Sequence, residues 1–367
     1  MNGASTEQLP PAFGRVVLTR GNCEVTVQDI LAYGWFLGEL REPWRELMNA
    51  IARQQCANEF DLEPDDDVMN SMSEEFRYER DLLTVEETER WLLARDLTEE
   101  DFTEYLVRRY WQDNPPEEAP APEESDYLEA SAELRDLLRV DLLFSGKFDE
   151  LTGAVSWRLA AAAEPSKTEP NADLAKEERA RFFERTGLNE TCLPKAMEQL
   201  NRTSGWLEEC LHLEACYRQA ADALLSEQAR SRTLAAMRLP LTLIKIQTLT
   251  LNSREAAQEA VLCLTQDRVP PDQLAQECGV GWEEEELFIG DCSADFQQEF
   301  LSAAPGEVLA PKAVGDVFVV YRIAGKTEPA LAVTGVRARI DQRLLESHFS
   351  ELSSRHIRWM LGKPVSG

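Results

Sequence analysis

The sequence predicts an α+β protein in which a mainly helical module is joined to a small α+β domain and a C-terminal amphipathic helix. Over most of the first 237 residues, apolar side chains recur three and four positions apart, as in helices buried on one face. Further on, LTLIKIQTLTL from Leu241 alternates apolar and polar residues, and DVFVVYRIAG from Asp316 is almost continuously apolar. Both patterns are typical of strands, so the last third combines strands with short helices.

A hairpin precedes the first helices. The text GRVVLTRGNCEVTV has two β-branched runs around Gly21-Asn22, and both turn residues tolerate positive φ. Helical periodicity follows, and Thr84 and Thr98 are placed as N-cap residues, each with a carboxylate three positions later. We therefore expect residues 1–112 to form an N-terminal hairpin and helical unit.

A second helical unit is expected after a linker. Residues 113–126, DNPPEEAPAPEESD, are rich in Pro and Glu with no large apolar side chain, which favours an extended linker. Residues 127–237 follow as the second unit. The text from Glu184 aligns without a gap with the text from Glu79, which predicts a repeat of the first unit. The polar stretch EPSKTEPNADLAKEE is expected to be an exposed loop.

The last third predicts a small α+β domain over residues 238–326. A strand from Leu241 is followed by a helix capped by Ser253, by PPDQLAQEC and SADFQQEFLSA as short helices, and by the final strand. WEEEELF is interpreted as a solvated turn. Residues 327–367 then supply a C-terminal helix that returns to the helical module, with an apolar stripe made of Ile340, Leu344, Leu345, Phe349 and Leu352.

Composition excludes several classes of partner. The chain has 38 Lys and Arg against 67 Asp and Glu, a net charge of -29, which repels nucleic acid and attracts cationic peptides. No apolar run reaches the roughly 18–20 residues of a membrane span, and the first residues lack the pattern of a secretion signal. We expect no membrane insertion and a cytoplasmic location.

Neither a metal nor a cofactor is expected. The eight cysteines are scattered without a C-x-x-C pair, which indicates buried, reduced thiols and not a disulfide framework. Cys210, His212 and Cys216 are close in sequence, but two further ligands are not in evidence. The sequence also contains no Gly-rich phosphate loop.

The segment from about Leu241 to Lys326 resembles the parvulin family of peptidyl-prolyl isomerases. PGEVLAPKAVGDVFVVYRI matches the family's Gly-Glu-Val, a Pro three residues later and a final Tyr-His-Ile-Ile-Lys-Val strand. IGDCSADF matches the Arg-Gly-Gln-Met-x-x-x-Phe pattern through Gly290, Cys292 and Phe296. The whole layout resembles SurA-like chaperones, in which a helical module surrounds an isomerase domain. FRYERDLLTVEETERWLLARDLTEEDFTEYL is similar to parvulin-related proteins of peptide maturation systems.

The resemblance implies a peptide site with altered catalytic groups. The family's two strand histidines correspond to Gln247 or Thr248 in the first strand and to Val319 in the last. Cys278 lies near the family's polar residue, although a buried thiol is the simpler interpretation. Cys292, Phe296 and Val319 are the implied peptide-binding residues; the alternative for Phe296 is packing in the core. No catalytic residue is assigned, and Gln247, Thr248 and Cys278 are the candidates if activity survives.

Three alternative functions are compatible with this resemblance and with the altered catalytic positions. The first is a peptide-binding chaperone or adaptor, catalytically degenerate, that holds a precursor or unfolded peptide during maturation or export of a ribosomally synthesised peptide. The second is an active peptidyl-prolyl cis-trans isomerase. The third is a scaffold that docks a peptide-modifying enzyme or an exporter and has no peptide groove.

Overall fold

A computed structural model describes residues 9–117, 119, 121, 126–164 and 172–361. Across these residues the chain is mainly helical with two small antiparallel sheets, so the predicted α+β class is confirmed. The chain divides into two compact units, Met1–Ala221 with His348–Gly367, and Asp222–Ser347. The centre of the predicted linker, residues 118, 120 and 122–125, lies outside the described residues, and the five-part division of the sequence stays a prediction.

The first unit contains a three-stranded sheet and a large set of helices. Its sheet has the order β2-β1-β7, all antiparallel. The elements in chain order are β1 (Val16–Arg20), β2 (Cys23–Thr26), α1 (Val27–Leu37), α2 (Arg41–Glu59), α3 (Asp66–Glu79), α4 (Val85–Ala94), α5 (Glu99–Asp113), α6 (Ala132–Ser145), α7 (Lys147–Ala163), α8 (Ala172–Thr186), α9 (Leu193–Gln199), α10 (Ser204–Leu224) and β7 (Arg358–Trp359).

The second unit has one four-stranded sheet with helices on both faces. The sheet order is β4-β3-β6-β5, and every neighbouring pair is antiparallel. The elements are α11 (Glu227–Ala236), β3 (Leu243–Leu251), α12 (Arg254–Thr265), α13 (Pro271–Cys278), β4 (Glu283–Phe288), α14 (Ala294–Ser302), β5 (Lys312–Val314) and β6 (Val317–Thr327). The last helix, α15 (Thr334–His356), begins in this unit and ends in the first.

Aromatic packing fills the first unit. Phe144 is fully buried and lies within 6 Å, centroid to centroid, of the rings of Phe76, Trp91, Phe102 and Tyr105. Such clusters combine a large buried area with favourable ring geometry, so they supply much of the stability of helical modules. The two predicted helix N-caps are confirmed, because Thr84 and Thr98 each form a complete capping box.

Two aligned helical segments share backbone features. Asp96 and Asn201 occupy equivalent positions in the alignment and both adopt left-handed backbone, with φ of 57° and 55°. Two residues later, the hydroxyls of Thr98 and Thr203 each accept a hydrogen bond from the backbone N–H three positions on. Both connections therefore turn in the same way. A common origin of the two segments stays a prediction.

Three local predictions were wrong. WEEEELF is not a turn: Glu283–Phe288 forms the edge strand β4, in which pairing with β3 leaves the four glutamates exposed while Leu287 and Phe288 are partly buried. The polar stretch is helical from Ala172, where α8 buries Phe182 against Phe36; residues 165–171 lie outside the described chain. The closing helix ends at His356, and Arg358–Trp359 pairs with β1 instead.

The two faces of the four-stranded sheet are covered differently. The closed face is the side on which α12 and α13 pack, around the buried Leu249, Leu251 and Val320. The open face is the side on which α14 packs, around Ile244, Ile246 and Ile323. Since side chains alternate along a strand, the register of β3 and β6 assigns each residue to one face.

Candidate functional site

The candidate site lies at the part of the open face that α14 covers incompletely. Alternation places Thr248 of β3 and Val319 and Tyr321 of β6 on this face, and Thr248 lies directly opposite Tyr321. Phe296 and Phe300, four residues apart on α14, pack down on the strands. Phe300 is 2% exposed, whereas Phe296 and Tyr321 are half-buried, so the apolar floor reaches the surface here.

Phe296 is the centre of this surface. Its ring centroid lies 5.2 Å from that of Tyr321 in an edge-to-face arrangement, and also 5.2 Å from that of Phe300. The ammonium of Lys312, on β5, lies 4.1 Å from the Phe296 centroid. Lys312 also pairs with Glu299 at 3.0 Å, so a cation–π contact and an ion pair hold it over the ring. One side of the aromatic surface is therefore occupied by the protein itself.

Cys292 lies two residues before the start of α14 and packs in the same apolar cluster as Phe296. Its thiol contacts the Phe288 carbonyl oxygen at 3.7 Å, and Gln297 donates its side-chain N–H to the Cys292 carbonyl at 2.7 Å. Burial, followed by the charges of Asp291 and Glu285, raises the pKa of the Cys292 thiol, which keeps it protonated at neutral pH. A protonated thiol is a weak nucleophile, so Cys292 acts here as a small apolar side chain.

Gly290 allows the backbone before α14 to pack closely against Pro240. A Cβ at Gly290 would lie 3.0 Å from Cβ of Pro240 and 3.1 Å from its carbonyl oxygen. The Gly290 N–H donates to that same oxygen at 2.9 Å. The close backbone approach requires glycine, and it fixes the entry into α14.

Negative charge lines one side of the open face. The register of β4 places Glu283 and Glu285 on this face, opposite Thr248 and Ile246. Both glutamates are exposed. Burial, with a smaller effect from Glu285, raises the pKa of Tyr321, so its phenol remains a neutral hydrogen-bonding group at physiological pH.

The structure separates the three catalytic candidates. Thr248 lies on the open face, but Gln247 points to the opposite face, where its amide donates to Glu284 at 2.6 Å and accepts from Arg322. The interpretation of Cys278 as a buried thiol was wrong: Cys278 is the last residue of α13, where the helix ends at Gly279, and it is exposed, whereas Leu274 packs on the closed face. The three side chains therefore do not form one cluster. Cys23 and Cys192 are exposed as well, so burial does not extend to all the cysteines.

The three peptide-binding candidates are nearer to one another. Cys292 and Phe296 belong to one apolar cluster on the open face, and Val319 lies on the same face by strand alternation. Val319 is 8% exposed, so it lies mostly beneath the surface and offers little area for direct contact with a peptide. Their role in binding stays a prediction.

Sequence reasoning missed two residues of this face. Lys312 follows Pro311 directly in the short segment before the last strand, and its position over Phe296 depends on the pairing of β5 with β6. Tyr321 could have been found from the sequence, because it is two residues from Val319 and therefore on the same face.

Metal and membrane features are few in the described residues. Within them, no group of three or more His, Cys, Asp or Glu side chains is arranged to hold a metal ion. His212 and Cys216 approach each other at 3.6 Å, Nε2 to Sγ. Among the helices described, none has the length and apolarity needed to cross a membrane.

Comparison with known proteins gives distant structural likenesses. The chain is similar to a peptidylprolyl isomerase, PrsA, from Bacillus cereus, with 12% identity and a TM-score of 0.37 over 59% of this chain and 85% of that one. It is similar to PrsA from Bacillus anthracis, with 12% identity and a TM-score of 0.30 over 56% and 95%.

A third likeness is to one of two SurA-like chaperones from Campylobacter jejuni, with 8% identity and a TM-score of 0.19 over 59% and 87%. No family model matches the chain, and no curated protein matches it. Likeness at this level does not establish an activity.

Proposed function

We propose that this chain is a peptide-binding chaperone or adaptor related to parvulin peptidyl-prolyl isomerases, and that the open face holds an extended polypeptide. The observation that carries the proposal is the half-buried pair Phe296 and Tyr321, which continues a buried apolar floor out to the surface. Surfaces of this kind, an apolar floor with a few polar groups at its rim, are typical of ligand sites.

The contacts available suit a polypeptide. Phe296 and Cys292 offer apolar contact, while the Thr248 hydroxyl and the Tyr321 phenol, on directly opposed strand positions, can hydrogen-bond to backbone amides. Lys312 must leave the Phe296 ring for a ligand side chain to stack there. The ion pair and cation–π contact that hold it are partly exposed, and each contributes about 1 kcal/mol or less.

The side chains of the open face favour a protein that binds peptide without catalysing prolyl isomerisation. Rotation about an X–Pro bond is accelerated by a site complementary to the twisted amide. The positions that carry histidines in the parvulin family hold Thr248 or Gln247 and Val319 here, and the chain's histidines, His212, His348 and His356, all come from α10 and α15. The open face keeps apolar area while lacking imidazole on its strands.

An active isomerase is the second candidate. Its support is the cross-strand pair of Thr248 and Tyr321, two hydroxyl groups next to the ring that would receive a prolyl residue. In that case the hydroxyls would hydrogen-bond to the amide as it twists.

We propose further that the client is a ribosomally synthesised precursor peptide, and that the protein works in the cytoplasm beside a peptide-modifying enzyme or an exporter. The net charge of -29 supports a Lys- or Arg-bearing client, because the field of the protein attracts cations. Affinity capture from the native host, followed by identification of the retained proteins, tests this assignment. Recovery of neither a precursor peptide nor such an enzyme or exporter would contradict it.

Two assays separate the candidates. A fluorescein-labelled 12-residue peptide with one Phe-Pro step between lysines is titrated with the protein, and anisotropy is measured. We expect saturable binding; no binding at tens of micromolar, a free energy weaker than about -6 kcal/mol, would contradict the proposal. A protease-coupled assay on the same Phe-Pro step should show only the uncatalysed exchange of tens to hundreds of seconds. A faster rate would establish the isomerase.

A further inference from the structure

The outer edge of β4 is an unpaired strand edge that carries a run of glutamates. Among the described residues, β4 pairs only with β3, at one end of the sheet order. The side chains of Glu283, Glu284, Glu285 and Glu286 are all exposed, so this edge is open within its unit. An open edge presents backbone N–H and C=O groups that can pair with a further strand.

The ladder shows which backbone groups are free to pair. The Ile289 N–H donates to the Thr242 carbonyl at 3.0 Å, next to the end of β4. Hydrogen-bonded positions repeat every second residue in an antiparallel pair. Glu285 and Leu287 therefore direct their backbone groups toward β3, and Glu284 and Glu286 direct theirs outward.

We propose that the outer edge of β4 binds an extended cationic segment of the client peptide as an added antiparallel strand. The inference rests on the proposed function, because it names the chemistry of the client and a second contact on it. Backbone pairing at Glu284 and Glu286 supplies affinity, and side chains at alternate positions supply specificity. The preferred segment has Lys or Arg at every second position.

The negative charge of the β4 glutamates indicates that the added strand is cationic. Glu284 already pairs with Lys245 at 2.7 Å and with Gln247 at 2.6 Å. Glu283 and Glu285 lie on the other side of the strand, on the open face, where no ion pair to a described residue engages them. Lys or Arg side chains of an added strand would lie directly opposite them, and opposite charges across two strands are favourable.

A second copy of the same chain does not fit this edge. If two β4 strands paired antiparallel with their acidic runs aligned, glutamates of one would lie opposite glutamates of the other at three consecutive positions, and like charges directly opposed are destabilising. An apolar client segment would leave the glutamates without new partners. The acidic run thus rejects self-association and favours a cationic strand.

The test uses the full-length protein and a synthetic peptide of alternating Lys and Thr, with a peptide of alternating Glu and Thr as the charge control. Amide hydrogen exchange is resolved at single residues by NMR. The Lys-Thr peptide should slow exchange at Glu284 and Glu286, whereas Glu285, already bonded to β3, should change little. Absence of protection at both outward residues would overturn the proposal.

Charge reversal sharpens the test. Glu283→Lys together with Glu285→Lys should weaken binding of the Lys-Thr peptide about tenfold, since two favourable cross-strand pairs become repulsive. The matched control is Glu255→Lys with Glu259→Lys, two exposed glutamates on α12 that change the net charge equally. If both double variants lose the same affinity for the Lys-Thr peptide, the peptide is attracted by the overall negative charge of the protein and not by pairing with β4.

A third variant separates this inference from the proposed function. Phe296→Ala removes the aromatic surface but leaves the β4 edge intact, so protection of Glu284 and Glu286 by the Lys-Thr peptide should persist. If charge reversal at β4 has no effect on the Phe-Pro peptide while Phe296→Ala weakens its binding about tenfold, the edge inference fails and the proposed function stands.

Discussion

The closed and open faces belong to one four-stranded sheet, yet they differ in how completely helices cover them. On the closed face, Leu249 and Val320 are fully buried, and the small Ala257 and Ala260 allow α12 to approach closely. On the open face, α14 is only nine residues long and leaves Phe296 and Tyr321 half-buried. Burial is therefore complete at Leu249 and Val320 on the closed face, and incomplete at Phe296 and Tyr321, where we propose that the sheet binds peptide.

The largest effect is expected on the closed face. Leu249→Ala removes a fully buried side chain and should lower the free energy of unfolding by about 3 kcal/mol, because it leaves a cavity. Urea denaturation followed by circular dichroism measures the change. The control Leu262→Ala, at a 48% exposed position on α12, should change stability by less than about 0.5 kcal/mol. Similar losses in both variants would mean that the closed face is not the core of this domain.

Phe296→Ala should separate binding from stability on the open face. We expect about a tenfold loss of affinity for the Phe-Pro peptide, as for an aromatic anchor at the centre of an interface. Phe318→Ala is the matched control, because Phe318 is also a half-buried phenylalanine but packs on the closed face. It should destabilise the domain while leaving peptide affinity unchanged. If both variants lose affinity equally, the two faces do not differ in function.

Lys312→Ala should strengthen peptide binding by about threefold, because it uncovers the ring of Phe296 by removing a contact of about 0.5–1 kcal/mol. Anisotropy titration with the same peptide measures the change. Lys245→Ala removes the same charge from an exposed position that contacts Glu284 instead. A gain of equal size in the control would show that charge alone is responsible.

The smallest expected effect concerns thiol labelling. With peptide present at a concentration equal to its Kd, half of the protein is occupied, so iodoacetamide should label Cys292 about twofold more slowly. Cys278, exposed on α13, should be labelled at an unchanged rate. Burial raises the pKa of Cys292, so its labelling should accelerate with pH into the alkaline range. Mass spectrometry of proteolytic peptides gives both rates, and equal protection of the two cysteines would contradict the assignment of faces.

Part of the candidate site could be predicted from sequence. Phe296 and Val319 were identified from the parvulin-like pattern, and the nearly continuous apolar run of β6 correctly indicated a strand in the interior of a sheet. Gln247 and Thr248 could not be distinguished, because neighbouring strand residues face opposite sides and only the pairing with β6 decides which side is open. Lys312 was missed because the ring that it contacts in the folded protein, that of Phe296, is distant from it in sequence.

The sequence by itself determined the helices, their caps and the main strands, since periodicity and capping act over a few residues. Thr84 and Thr98, for example, cap their helices with groups three positions away. Only the tertiary structure decided that a run of glutamates is an edge strand, that Lys312 covers Phe296, and that the chain end pairs with β1. These contacts join residues far apart in sequence, so their energies depend on packing that no local pattern encodes.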